Sequence, residues 1–214
     1  MQLVIGNKNY SSWSMRPWVL AREAGVAFEE VQLKFDDSGK AAGVERYRVA
    51  GKVPVLVIDG APLTENVAIQ AWIARQFPAA KLLPADPMQE LHAISLLAWC
   101  ASGIHPFLSR INAPPRVCDL PDSEEAVRRL AQQQLFENYQ IAEDLLAGRE
   151  WFFDHFTAVD AHFFWCFRRG TQFNLDLSRF KNCTAHFERM QQRPSVRKLL
   201  AYEAEVQTAF AQAA

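Results

Sequence analysis

The chain has 214 residues, of which 50% are hydrophobic and 22% are charged, and its formal net charge is −1 at pH 7. This composition is typical of a globular protein that can bury one large core or two smaller ones. The balanced charge gives no electrostatic basis for binding nucleic acid or an anionic membrane surface. We find no apolar run near the roughly 20 residues that span a bilayer and no signal-peptide pattern at the N-terminus. We therefore expect a cytoplasmic protein without a nucleic-acid or membrane partner.

The first part of the chain predicts a strand, a helix and a second strand. Residues 2–5 are apolar, Met15 to Glu23 predict a helix that Gly25 closes, and apolar residues alternate imperfectly over 28–35. The polar segment from Asp36 to Arg48, which contains two glycines, predicts a loop or a short helix. The opening pattern is thus a βαβ unit.

Three serines stand at the start of the predicted first helix. A serine hydroxyl at this point can donate a hydrogen bond to a thiolate that a substrate brings. Ser14 is expected to cap the helix, which leaves Ser11 and Ser12 as alternative donors. Tyr10 is a third candidate, because its phenol can donate the same bond. Each of these residues also has a structural alternative, since polar side chains are common at helix starts and in loops.

The segment from Gly51 to Asn66 predicts two strands and the opening of a second helix. β-Branched residues flank Asp59-Gly60, which is a strong hairpin signal, and Thr64 can cap the helix. Pro54 at the start of the first strand permits a cis peptide bond. A cis Val53-Pro54 bond would expose the Val53 backbone groups, with which a peptide-like ligand could pair as an added strand does.

Polar residues around this segment match the groups of glutathione. Glu65 and Asn66 lie at a helix N-terminus, where free N–H groups and the dipole favour an anion. The Glu65 carboxylate can pair with an α-amino group, and the Asn66 amide can donate to an α-carboxylate. Lys52 can reach a second carboxylate, although a solvated surface lysine is an equal alternative. Glutathione carries all of these groups together with a peptide backbone.

The rest of the chain predicts helices only. The proline-rich segment from Pro78 to Pro87 predicts a linker. Thr157-Ala-Val-Asp160 is a variant of the capping box, with Asp in place of Glu or Gln. Helices are expected near 88–110, 124–147, 158–169, 179–192 and 195–211.

Aromatic residues and cysteines in this region have several possible roles. Trp99, His105 and Phe107 could line a pocket, although aromatic residues at helical spacing more often belong to a core. The four cysteines form no CxxC pair and lack metal-ligand spacing to histidine, so no metal is expected. Cys100 and Cys166 lie among apolar residues and are expected in the core.

Two motifs resemble one known family. The Val53-Pro54 turn, followed by Glu65-Asn66 at a helix start, resembles the glutathione-binding half of cytosolic glutathione transferases, where the second pair is usually Glu-Ser. The segment NYSSWSMRPW is similar to the serine-type classes, and locally closest to the zeta class. The resemblance implies an α/β thioredoxin-like N-terminal domain of βαβββα type over 1–78, a linker over 79–87 and an all-α domain over 88–214.

The resemblance also implies a mechanism. Ser11 or Ser12 would stabilise the glutathione thiolate for attack on a small hydrophobic electrophile, for which the three aromatic residues named above would line the pocket. The enzyme would act in detoxification as a homodimer, with glutathione as cosubstrate and without a metal. The residues implied to bind glutathione are Lys52, Val53, Pro54, Glu65 and Asn66.

Three alternatives remain from the sequence. A zeta-like cis–trans isomerase would add and release glutathione, but Trp13 stands where zeta enzymes carry cysteine. A non-catalytic glutathione-binding or stress-associated protein is favoured by Asn66, which departs from the usual serine. A thiol–disulfide oxidoreductase needs a thiolate in the protein, and the chain has no cysteine before Cys100.

Overall fold

A computed structural model describes residues 1–8, 11–35, 40–47 and 52–213, with side chains as far as residue 204. The chain groups into two units. The first comprises 1–83 together with 191–214, and the second comprises 84–190. The division at 1–78, 79–87 and 88–214 stays a prediction.

The first unit contains a four-stranded mixed sheet. Its strands are β1 (Gln2–Ile5), β2 (Glu29–Gln32), β3 (Val55–Ile58) and β4 (Ala61–Leu63), in the spatial order β2-β1-β3-β4. β1 runs parallel to β2 and antiparallel to β3, and β3 pairs with β4 in an antiparallel hairpin. With helices α1 (Ser12–Glu23) and α2 (Asn66–Gln76), this confirms the predicted thioredoxin-like order.

The hairpin between β3 and β4 confirms the predicted turn. Asp59 and Gly60 adopt φ values of 49° and 83°, and Ile58 pairs with Ala61 across the two-residue loop. Two consecutive positive φ angles are typical of the turn whose twist matches that of the flanking strands. The turn fixes the register of β3, which places Val55 in the core of the sheet.

Helix α1 is fixed against β2 by one carboxylate. Glu30 accepts hydrogen bonds from the Trp18 indole at 2.8 Å and from Arg22 at 3.0 Å, and it pairs with Lys8 at 2.5 Å. Burial opposes ionisation of Glu30, but these three donors outweigh that effect and lower its pKa below the usual value. The second half of α1 is thereby held in a defined place relative to the sheet.

The second unit consists of helices. They are α3 (Pro87–Trp99), α4 (His105–Asn112), α5 (Glu124–Leu145), α6 (Ala158–Gln172) and α7 (Lys181–Gln191). The single helix predicted near 88–110 is two helices, α3 and α4, whose outer ends lie within two residues of that range. Helices α5 and α7 also lie within two residues of their predicted ranges, and α6 extends three residues beyond its predicted end. Helix α8 (Pro194–Ala213) belongs to the first unit, where Arg193 and Ser195 bond to Glu23 at the end of α1.

A π-helical turn over Cys100–Ile104 joins α3 to α4. The His105 N–H donates to the Cys100 carbonyl, five residues back, immediately before Pro106. Proline has no N–H, and its ring clashes with the carbonyl four residues earlier in a regular helix. The wider turn relieves that clash and keeps the helical run continuous.

The run Pro87–Asn112 passes a length-and-composition test for a membrane-crossing helix. It has 26 residues. Its most apolar stretch of 18 residues has a mean hydropathy of 1.3, and 33% of that stretch is buried. The run is interrupted by polar residues such as Glu90 and Arg110, so it is not a continuous apolar stretch. One such helix is weak support for a membrane span, because core helices of globular proteins pass the same test.

The core of the second unit lies around α6. The predicted capping box is present, with the Thr157 and Asp160 side chains bonded reciprocally at the start of the helix. Cys100 and Cys166 are fully buried, which confirms their expected place in the core. The Tyr139 hydroxyl donates to the Cys166 carbonyl at 2.9 Å, and burial raises the pKa of that phenol well above its usual value.

Candidate functional site

The start of α1 is capped by Ser11. Its backbone carbonyl accepts from the N–H groups of Ser14 at 3.0 Å and Met15 at 3.2 Å, and its Oγ accepts from the Ser14 N–H at 3.4 Å. The prediction that Ser14 caps the helix is wrong, and so is the predicted start at Met15. The helix begins at Ser12 because the side chain of Ser14 is engaged elsewhere.

Ser14 points back toward the end of β1. Its Oγ accepts from the Gly6 N–H at 3.1 Å and lies 2.7 Å from the Ser11 Oγ. Gly6 leaves room for the ring of Phe35, because an added Cβ would lie 2.4 Å from that ring and 3.1 Å from the Ser11 Cβ, so the ring would have to move. Ser14 is completely buried, whereas Ser11 is 7% exposed.

Ser12 is the first residue of α1 and is 9% exposed. Its hydroxyl and its backbone N–H make no hydrogen bond to any residue that the structure describes. The first N–H groups of a helix have no partner within the helix, and they carry the positive end of its dipole. Ser12 therefore remains an alternative to Ser11, while Tyr10 lies outside the described residues.

The second part of the candidate site precedes β3. The Val53-Pro54 bond is cis, which confirms the prediction. Lys52 is exposed, Val53 is half-buried against the core of the sheet, and Pro54 is buried. Pairing of the Val53 backbone with a ligand stays a prediction.

Glu65 occupies an unusual backbone conformation at the start of α2. It is exposed and has a φ of 67° and a ψ of 125°, a region that only glycine adopts readily. The N-cap of α2 is Glu65 without a side-chain bond, so the prediction that Thr64 caps this helix is wrong. Strained backbone at an exposed helix start is a feature of binding sites, which makes Glu65 a candidate on structural grounds as well.

Asn66 connects the starts of the two helices. Its Nδ2 donates to the backbone carbonyl of Trp13 at 3.1 Å, and Asn66 itself is 5% exposed. Pro17 lies inside α1 and has no N–H, so it cannot donate to the carbonyl four residues earlier, which is that of Trp13. The Asn66 amide supplies the missing donor. Asn66 therefore has a structural role at this position, beside the binding role that the sequence predicts.

Trp13 is held through its ring as well. The guanidinium of Arg16 lies 3.9 Å from the centre of the indole, and Arg16 is completely buried. A desolvated cation against an aromatic face contributes on the order of 2 kcal/mol. The Arg16 and Asn66 contacts together fix the first turn of α1, which carries Ser11 and Ser12.

Comparison with known proteins shows which family the chain resembles. The model of the glutathione S-transferase N-terminal domain matches residues 10–76. The chain is 27% identical over 195 residues to glutathione S-transferase GstA of Escherichia coli O157:H7, covering 89% of this chain and 94% of that protein. It is 28% identical to a probable maleylacetoacetate isomerase of Caenorhabditis elegans, covering 78% of this chain and 77% of that protein.

Solved structures agree with the sequence matches. A glutathione S-transferase from Xylella fastidiosa has a TM-score of 0.84 at 25% identity, covering 95% of this chain and 98% of that one. A sphingomonad glutathione S-transferase complexed with glutathione has a TM-score of 0.78 at 25% identity, covering 95% and 99%. The chain is thus similar to glutathione transferases over nearly its whole length, and its residues 10–76 match the N-terminal domain of that family.

The second unit of the chain holds the three predicted pocket residues. Trp99 is half-buried, and its indole donates to the Asn138 Oδ1 at 2.8 Å. A Cβ at Gly103 would lie 2.7 Å from the Trp99 ring, so glycine lets the indole pack on the π-helical turn. His105 and Phe107 are half-buried on α4, beyond that turn.

The sequence did not indicate the roles of three residues of the candidate site. They are Gly6 and Ser14, which contact each other behind Ser11, and Pro17, which leaves a carbonyl for Asn66. A signal existed for Ser14, because Ser11 and Ser14 have the spacing of helix N-cap and N3 residues. Among the residues that the structure describes, no group of three or more His, Cys, Asp or Glu side chains could hold a metal ion.

Proposed function

We propose that this protein is a glutathione transferase that activates the thiol of glutathione for attack on a small hydrophobic electrophile. The main support for the proposal is the hydrogen bond from Asn66 to the Trp13 carbonyl, which joins the start of α2 to the start of α1. One start presents Ser11 and Ser12, and the other presents Glu65. The comparison with a sphingomonad transferase that is complexed with glutathione supports the same ligand.

Glutathione binds through its charged ends and its backbone. Glu65 pairs with the α-amino group, and the start of α2 receives the α-carboxylate. Asn66 contributes its second amide hydrogen, because only one is used by Trp13. Lys52 takes the glycine carboxylate. The backbone of Val53, next to Pro54, pairs with the cysteinyl residue as an added strand would.

The serine hydroxyl lowers the pKa of the bound thiol. A free thiol has a pKa of ~8.5, and lowering it by about two units needs ~2.7 kcal/mol of preferential stabilisation of the thiolate. A hydrogen bond to a charged acceptor supplies roughly 1.5–3 kcal/mol, and the helix dipole adds up to ~2 kcal/mol. The thiol proton leaves to solvent, and the thiolate sulfur forms a bond to the electrophilic carbon. In a substitution, that carbon's bond to its leaving group breaks and the group departs with the electron pair; in an addition, the π electrons of the attacked double bond move to the neighbouring atom, which then takes a proton from solvent.

The electrophile is proposed to contact the aromatic residues of α3 and α4. Trp99, His105 and Phe107 present half-buried rings, which suits a small hydrophobic molecule. A cytoplasmic location and a role in detoxification complete the proposal. The test of the whole proposal is a titration of the thiol absorbance in protein saturated with glutathione. If the pKa of the bound thiol stayed near that of free glutathione, the protein would bind glutathione without activating it, and the proposal would be wrong.

Glutathione affinity should depend on Glu65. Replacing Glu65 with alanine should weaken binding at least tenfold, because the ligand's ammonium loses its charged acceptor. The Glu65→Gln variant keeps the size of the side chain and should weaken binding similarly if charge is responsible. Calorimetric titration measures both variants. Unchanged affinity in both would remove Glu65 from the site.

The protein is further proposed to be a homodimer. Met88 and Leu91 are 72% and 57% exposed and lie one turn apart on α3, where such side chains favour association. Light scattering at micromolar concentration should give about twice the chain mass of 24.3 kDa. Leu91→Lys should shift the mass toward the monomer, whereas Leu120→Lys, in a loop, should not. A monomeric wild type would contradict the proposal.

A further inference from the structure

The two hydroxyls at the start of α1 form a pair whose direction can be assigned. The Ser11 and Ser14 Oγ atoms are 2.7 Å apart, and either could be the donor by distance alone. Ser14 is completely buried, and its Oγ already accepts from the Gly6 N–H at 3.1 Å. The assignment therefore depends on where each hydroxyl proton can go.

Among the residues that the structure describes, one arrangement satisfies both protons. If Ser11 donated to Ser14, the Ser14 proton would have no acceptor among the described residues, in a site that water does not reach. An unpaired buried hydroxyl is costly. If Ser14 donates to Ser11, its proton is satisfied, and the Ser11 proton is directed away from Ser14. Ser11 is the partly exposed member of the pair, so a ligand can accept that proton.

We propose that Ser14 is a positioning residue that orients the Ser11 hydroxyl toward the thiolate of glutathione. This inference rests on the proposed function, in which a serine stabilises that thiolate. The bonds form one chain: the Gly6 N–H donates to Ser14, Ser14 donates to Ser11, and Ser11 donates to the sulfur. Hydrogen bonds in such a chain polarise and strengthen one another.

The chain of bonds also distinguishes Ser11 from Ser12. Ser12 has no hydroxyl behind it among the described residues, so nothing there fixes the direction of its proton. A hydroxyl that is already oriented loses less rotational freedom when it binds the thiolate. Ser11 is thus the donor in this proposal, and Ser14 acts only through Ser11.

A double-mutant cycle tests the dependence of one residue on the other. The measured quantity is the thiol pKa of bound glutathione, from thiolate absorbance, in wild type, Ser14→Ala, Ser11→Ala and the double variant. Ser14→Ala should raise that pKa by roughly 0.3–1 unit. In the Ser11→Ala background the same change should have no effect on the pKa.

The cycle separates positioning from a general structural role. Ser14→Ala removes the acceptor of the Gly6 N–H, so it should lower the stability of the protein whether or not Ser11 is present. Its effect on the thiol pKa should vanish in the Ser11→Ala background. Equal pKa changes in both backgrounds, or none with Ser11 present, would overturn the inference. A wild-type thiol pKa near the free value would overturn the proposed function and this inference with it.

A second pair of variants covers the case in which Ser14→Ala does not fold. Ser14→Thr and Ser14→Val have the same shape and differ only in the hydroxyl. The Thr variant should keep the thiol pKa of wild type, and the Val variant should raise it by the amount expected for alanine. Equal thiol pKa values in the two variants would overturn the role of the Ser14 hydroxyl.

Discussion

Replacing Asp160 by asparagine should lower the free energy of unfolding by about 3 kcal/mol, because two buried donors lose their acceptor. Asp160 is completely buried at the start of α6. One carboxylate oxygen accepts from the Phe152 N–H at 3.1 Å and lies 3.0 Å from the His186 Nε2. The other accepts from the backbone N–H and the hydroxyl of Thr157 at 2.7 Å and 3.1 Å.

Asparagine cannot reproduce this set of bonds. Asparagine has an NH₂ group in place of one carboxylate oxygen, and that group can only donate. The NH₂ group would then face two other donors. If the oxygen that contacts Phe152 and His186 is replaced, bonds from α6 to neighbouring segments are lost. If the other oxygen is replaced, both bonds from Thr157 in the capping box are lost. Alanine would remove all four bonds and should cost about 3–5 kcal/mol, as is typical when a buried charged partner is removed.

Urea unfolding monitored by circular dichroism measures the loss. Asp154→Asn is the matched control, since Asp154 is a carboxylate of the same second unit that lies 2.5 Å from the Nδ1 of His155 but has an 86% exposed side chain. Exposed pairs of this kind contribute little, so the control should change stability by less than about 0.5 kcal/mol. A loss below about 1 kcal/mol for Asp160→Asn would contradict the stabilising role of its four bonds.

Local sequence signals predicted the features that depend on neighbouring residues. Asp59-Gly60 predicted its hairpin because the turn needs two positive φ angles that this pair adopts readily. The Thr157–Asp160 box predicted the start of α6 because both of its bonds lie within four residues. In each case the deciding interaction is contained in the motif.

Features that depend on distant residues were not predictable. Ser11, Ser12 and Ser14 can each cap a helix, and the choice is made by the Gly6 N–H, which engages Ser14 from the end of β1. The Asn66 contact joins residues 53 positions apart in the sequence. The fold brings Asn66 to the Trp13 carbonyl, which Pro17 leaves without a helical donor, and nothing near Asn66 in the sequence indicates that contact.

Replacing Ser11 by alanine should raise the pKa of the bound glutathione thiol by roughly one to two units, the value of one hydrogen bond to a charged acceptor. Ser11 is the N-cap of α1, and its Oγ accepts from the Ser14 N–H, so the hydroxyl stands in front of the positive end of the helix dipole. Conjugation of a general aromatic electrophile at pH 7 should fall by about ten- to a hundredfold, since the rate follows the thiolate fraction. Glutathione affinity should hardly change, because Glu65 and the start of α2 hold the charged end of the ligand.

The measurement is thiolate absorbance against pH in wild type, Ser11→Ala, Ser12→Ala and Tyr10→Phe, each saturated with glutathione. The two serine variants are matched, because both remove one hydroxyl from the same helix start and leave the dipole in place. Ser12→Ala should shift the thiol pKa less than Ser11→Ala, because the Ser12 hydroxyl has no oriented partner among the described residues. A shift confined to Ser12→Ala or to Tyr10→Phe would assign the donor to that residue instead. Calorimetry on the same samples separates the two steps: a true activating hydroxyl changes the thiol pKa and the rate while the dissociation constant stays near that of wild type.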